Sequence, residues 1–160
     1  MSGIRVEIKG MDRAIDTFRK MPGRFDALAR QAMKASVRDV AEEARARHRF
    51  VSRTGALERS VEHDLTSDRP LVGMVSVGGS GAPYARFVHD GTAAHEIRPR
   101  RRRMLRWASG GGEQFRYARK VRHPGTRPDP FLREALEAKK DAVARYFERA
   151  MKKLAKEAGG

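Results

Sequence analysis

Cysteine is absent from the 160 residues, which removes disulfides, thiolate metal sites and thiol nucleophiles together. Such a chain fits assembly in a reducing cytoplasm. Long apolar runs are missing as well. None approaches the ~20 residues needed to cross a bilayer, and the opening MSGIRVEIKG alternates charge with aliphatics where a signal peptide would build an apolar core. Neither secretion nor a membrane partner is expected. Acidic residues are scarce in one region: positions 97–127 hold 11 Lys or Arg and a single acid, Glu113. The whole chain carries +15, so about two thirds of the net charge sits in about a fifth of its length. Such a field attracts phosphate or an acidic protein face, and charge alone does not distinguish the two.

Catalytic constellations are missing too. The one cluster with suitable side chains is His89, Asp90, His95 and Glu96. Histidines six apart across Gly91 fit neither the four-residue spacing of a helical pair nor a zinc pattern. A hydrolase built on His89 and His95 is the weakest reading, tested by alanine at both positions. No G-x-S-x-G surrounds a serine, and Ser80 between glycines reads as a loop residue. The glycines of GGSGAP lack a following Lys-Ser or Lys-Thr. No enzymatic activity, metal or cofactor is expected.

What is present reads as a single domain over 1–160, of α+β class, a small antiparallel sheet packed with a long N-terminal and a long C-terminal helix. IRVEIKG alternates Ile4, Val6 and Ile8 against Arg5, Glu7 and Lys9, a half-buried strand over 4–9. Helices follow over about 12–49. Asp12 can cap the first, Pro22 and Gly23 interrupt, and Phe25, Leu28, Ala32, Val37, Val40 and Ala44 form the apolar stripe of the second. Sheet and loops occupy about 61–122. PLVGMVSVGG is expected to be a largely buried strand, with Val61–Leu65 as its neighbour. APYARFVHDGT is a short helix closing at Gly91. QFRYARKV sets Phe115, Tyr117 and Val121 against Arg116, Ala118 and Lys120, and pairs with Leu105–Trp107 across Gly110–Gly112. Its aromatics, with Trp107, are expected to turn inward as core. Prolines 124, 128 and 130 stiffen a connector, and Asp129 is placed to cap a final helix over about 130–157 with Pro130 at its first position.

The densest feature is IRPRRRRMLRW, with five arginines between Arg98 and Arg103. Three readings compete: a solvated charged loop, a nucleic-acid contact helped by the basic face of 115–121, and a protein seam in which guanidinium forks meet carboxylates.

TGALERSV (54–61), APYARFVHDGT (82–92), IRPRRRRMLRW (97–107) and VRHPGTRPDPFLREAL (121–136) occur in that order. This arrangement resembles the tail-completion, or head–tail joining, family of long-tailed double-stranded DNA phages. One position departs from the family pattern Y-A-x-x-V-E-x-G-T: His89 stands where Glu is usual, with Asp90 beside it. The resemblance implies a virion structural protein of the neck, assembled in the bacterial host cytoplasm. It implies a ring, expected to be a hexamer, between a head-closure (stopper) protein and a tail terminator or tail-tube protein, with double-stranded DNA passing through the lumen. Subunit or partner contacts are then expected from Thr54, Gly55 and Leu57, from Tyr84, Phe87, Asp90, Gly91 and Thr92, from Arg100, Arg101, Arg102 and Arg103, and from His123, Pro124, Gly125, Pro130 and Phe131. Positive φ is expected at Gly91 and Gly125. DNA contact is a secondary role for Arg116, Arg119, Lys120 and Arg122. The alternative function is a free basic DNA- or RNA-binding protein using residues 97–127.

Overall fold

A computed structural model describes residues 4–8, 23–68, 70–109 and 114–158. The expected helix over 12–21 and the turn at 110–113 lie outside them. In chain order the elements are β1 (Ile4–Ile8), α1 (Arg24–Ala46), α2 (Ala56–Arg59), β2 (Glu62–Asp68), β3 (Leu71–Val77), α3 (Ala85–His89), β4 (His95–Ile97), β5 (Leu105–Ser109), β6 (Gln114–Ala118), β7 (Val121–His123) and α4 (Phe131–Ala158). The class is α+β, as the patterning implies.

Helices α1 and α4 pack along one another and form the body of the molecule. On α1, Phe25, Leu28, Ala29, Ala32, Met33, Val37, Val40, Ala41 and Ala44 recur at three- and four-residue spacing, and all are buried. Ser36 falls on the same face and satisfies its hydroxyl by donating to the Ala32 carbonyl at 2.8 Å. From α4, Phe131, Leu132, Ala135, Phe147 and Leu154 meet that face. Each large side chain so covered contributes on the order of 1.5–3 kcal/mol. Lys139 of α4 bridges Asp39 at 3.2 Å and Glu43 at 3.3 Å, a polar clasp beside the apolar seam that raises the Lys139 pKa.

The sheet is antiparallel, in the order β1-β3-β2, with Ile4 opposite Val77 and His63 opposite Val75. Helix α1 covers one side of it. Val75 and Val77 are buried and Met74 and Ser76 half-buried, and no residue of β3 is exposed, in keeping with the expectation of a largely buried strand. Helix α1 also ends at Ala46, three residues short of the expected Arg49, because the next segment is pulled onto α4.

That segment forms a second packing centre. Phe131, at 0% exposure, meets Phe50 edge-on at 5.3 Å and His89 edge-on at 5.7 Å, and His48 stacks on Phe50 at 3.8 Å. Asp129 is corrected here as well. Its carboxylate does not reach forward to α4, whose first bonds run from backbone to backbone, Phe131 N–H to the Asp129 carbonyl and Glu134 N–H to Pro130. Instead its Oδ2 accepts the N–H groups of Arg49 and Phe50.

Candidate functional site

Between Gly91 and Thr126 the chain leaves the body as a two-stranded arm. At its root Thr92 and Thr126 form an isolated antiparallel bridge, each N–H donating to the other's carbonyl at 3.0 and 3.1 Å. Next, β4 pairs with β7, with His95 opposite His123 and Ile97 opposite Val121. Farther along, β5 pairs with β6, from Leu105 opposite Ala118 to Ser109 opposite Gln114. Fully extended, the strand from Thr126 back to Gln114 would reach at most ~40 Å at ~3.3 Å per residue. The strands of each ribbon contact one another far more than they contact the body.

Two glycines make the root. Gly91 and Gly125 both have positive φ, 72° and 96°, as their place in the motifs led one to expect. Each is also pressed against the opposite strand. A Cβ at Gly91 would stand 2.6 Å from the Thr126 carbonyl oxygen, and one at Gly125 would stand 2.3 Å from that of Thr92. The two Gly-Thr dipeptides therefore lock against each other.

The arginine run is a bulge in the middle of this arm. Residues 98–104, seven on one strand, stand opposite only Arg119 and Lys120 on the other, between the pairs Ile97–Val121 and Leu105–Ala118. Arg100–Arg103 are exposed. Glu96, which has Arg122 as its strand partner, takes Arg98 at 2.6 Å and Lys120 at 3.3 Å. Those two cations hold the Glu96 carboxyl below its usual range, the Arg98 bond first. No carboxylate among the described residues pairs with Arg100–Arg103.

Beyond the bulge the ribbon exposes its aromatics: Trp107 at 40%, Phe115 at 47% and Tyr117 at 58%. The expectation that they turn into the core is overturned. Nor do they share a face. Directly opposed residues of an antiparallel pair point to the same side, so Trp107 sits with Arg116, whereas Phe115 and Tyr117 sit with Arg106 and Ala108. The Arg106 guanidinium covers the Phe115 ring at 3.7 Å. The strand expected to run through 115–121 is also interrupted, since Arg119 and Lys120 belong to the bulge.

Of the other residues singled out from sequence, His123 and Pro124 belong to the arm and the rest lie on the body. Tyr84 and Phe87, around α3, are exposed at 43% and 58%. Thr54 is exposed and accepts the Ala56 N–H at 3.3 Å, while Gly55, at φ 67°, occupies the cap position of α2. Leu57 and Phe131 are core residues, at 3% and 0% exposure, and shape the surface only by fixing their neighbours. Pro130 is half-buried, and Pro124 is exposed beside the arm root. His123 Nδ1 accepts the Gly125 N–H at 3.1 Å. Exposed Val51, at 84%, is a surface side chain the sequence reading passed over, because a lone aliphatic in a loop carries no periodicity.

His89 and His95 do not form one site. His89 is buried against Phe131 and donates Nδ1–H to Asp90 at 2.8 Å, whereas His95 is exposed and stacks on His123 at 5.1 Å. That His89 bond, with Arg86 at 3.5 Å, keeps the Asp90 carboxyl below its usual range. Asp90, in the place next to the missing Glu, thus orients His89 within the same chain. Among the described residues no three His, Asp or Glu side chains converge as metal ligands, and no helix is long and apolar enough to cross a membrane.

Residues 12–91, half of the chain, match the model of a family described as "Bacteriophage HK97-gp10, putative tail-component". The match includes the TGALERSV and APYARFVHDG segments and stops where the arm begins. Neither a curated protein nor a solved structure matches the chain.

Proposed function

The chain belongs to the HK97-gp10-like family of phage tail components, and from that membership we propose that it is a non-enzymatic structural subunit of the virion neck. In this reading copies close into a ring, a hexamer, between a head-closure protein and a tail terminator or tail-tube protein, and double-stranded DNA passes through the lumen. One observation carries it: the molecule sends out an arm whose Trp107, Phe115 and Tyr117 its own body leaves uncovered. Exposed aromatics on a ribbon are a cost to a solitary chain and an anchor for a partner. A ring needs two different complementary faces on every subunit. The arm is one such face. The exposed Tyr84 and Phe87 of the body are a candidate for the other.

The second reading, a free nucleic-acid-binding protein, draws its support from the cations of the bulge. Imaging of intact particles separates the two. The neck reading requires density for this chain in a closed ring between head and tail, and particles lacking the gene should leave heads and tails unjoined. Absence of the chain from purified virions would favour the free binder.

A further inference from the structure

From the sequence, Arg100–Arg103 are expected at a subunit or partner contact with an acidic surface, apart from Arg119 and Lys120, which are expected on a strand face turned to DNA. The arm joins all six into one lobe, with the seven-residue bulge on one strand facing the two cations on the other. We propose that this lobe is a contact for the phosphate backbone of duplex DNA. The proposal goes beyond the neck reading and does not rest on ring closure, since the isolated subunit tests it.

Charge bookkeeping disfavours one competitor. Outside residues 97–127 the chain still holds 24 Lys or Arg against 19 acids, so a second copy of itself is on balance a repulsive partner for the lobe. The makeup of the lobe argues against a protein seam of another kind. Protein interfaces take their affinity from a few anchors, chiefly Trp, Tyr and Arg, each packed into a desolvated pocket and ringed by polar groups. Here Arg100–Arg103 are four consecutive exposed guanidiniums between Pro99 and Met104, while the aromatics stand farther out on the ribbon. Phosphates need no such anchor: they take guanidinium forks in water, and the gain comes from counterions released into solution. Glu96 completes the pattern. It occupies Arg98 and Lys120 at the edge of the lobe and, among the described residues, leaves the central arginines without a carboxylate.

Firm retention of DNA would obstruct a conduit, but contacts of this type are sequence-independent and let a protein slide along the duplex. A basic lobe therefore guides a moving polyanion without halting it.

The test uses the full-length protein and a 30-base-pair duplex of arbitrary sequence, with binding read by fluorescence anisotropy across a salt series. If five of the six cations meet phosphates, affinity should fall by a factor on the order of 10²–10³ between about 50 and 200 mM salt. Combining Arg100→Ser, Arg101→Ser, Arg102→Ser and Arg103→Ser should make the slope of log affinity against log salt shallower by about 3–4. At 0.1 M salt the same variant should bind on the order of 10²–10⁴ times more weakly. A control with Lys152→Ser, Lys153→Ser and Lys156→Ser on the exposed side of α4 should keep the wild-type slope. Unchanged circular dichroism and melting midpoint confirm that both variants fold. The proposal is overturned if wild type ignores the duplex at low salt, or if the α4 control weakens binding as much as the arm variant. It is equally overturned if the arm variant keeps its DNA affinity and loses an acidic neck protein instead. Oligomeric state, read from the mass of the assembly, bears on the ring and leaves this result untouched.

Discussion

Asp129 Oδ2 accepts the backbone N–H of Phe50 at 2.8 Å, a bond between positions 79 apart in the chain. The same oxygen takes the Arg49 N–H at 2.6 Å, and the Arg49 guanidinium lies 3.4 Å from Oδ1. One buried carboxylate thus turns the chain from the end of α1 onto the start of α4. Arg49 carries the link outward to Glu134 at 2.7 Å, a bond that raises the arginine's pKa.

Asp129→Ala strands two N–H groups and removes charge-assisted bonds, so it should destabilise the protein by about 2–4 kcal/mol. Asp129→Asn keeps one acceptor and should lose roughly half as much. Chemical denaturation of the three proteins checks the order.

Phe131→Ala empties the centre where Phe50 and His89 meet. A loss of about 3–5 kcal/mol is expected from the cavity. Denaturation midpoints measure it, and a loss below about 1 kcal/mol would contradict the packing described.

Gly125→Ala and Gly91→Ala each add a methyl to a positive-φ position already in contact with the facing strand. Both should cost more than about 1 kcal/mol. The damage should be local. Amide hydrogen exchange at Thr92 and Thr126 should accelerate while the α1 and α4 amides stay protected.

Acid should weaken the fold. In the native state the Ser52 hydroxyl, with His48 and Arg59, lowers the Glu58 carboxyl, and His89 with Arg86 lowers that of Asp90. A carboxyl depressed on folding contributes stability that is complete above its unfolded value, near pH 4–4.5, and is lost as pH falls through the lower folded value. Urea midpoints should therefore drop between about pH 5 and pH 3. Glu58→Gln should flatten part of that slope.

Replacing residues 93–125 by a short Gly-Ser linker should leave a cooperative melt, because the ribbons contribute little to the body. The shortened protein should fail to enter virions. Incorporation at wild-type level would detach the arm from assembly.

Much of the body was legible in the sequence. The stripe from Phe25 to Ala44 and the series from Leu132 to Leu154 each repeat at the helical period, and a period of that kind requires a covered side. Closure of α3 at Gly91 and the positive φ of Gly91 and Gly125 followed from turn chemistry. The arm was legible only as strands. Alternation in QFRYARKV distinguishes two faces but does not say that either is covered, so Phe115 and Tyr117 read as core when they stand in water. Similarly, Asp129 before Pro130 has the local form of a helix cap. Its true partners lie some eighty residues upstream, where no local pattern reaches.

The Thr92–Thr126 bridge has a mechanical consequence. Just inside it the Asp129 N–H bonds to the Val88 carbonyl, and the Asp129 carboxylate grips Arg49 and Phe50. Tension applied far out on the thin ribbon therefore passes through those few bonds to the ends of the two long helices. Their shared seam, the main buried packing among the described residues, bears the strain as a mast step bears its mast.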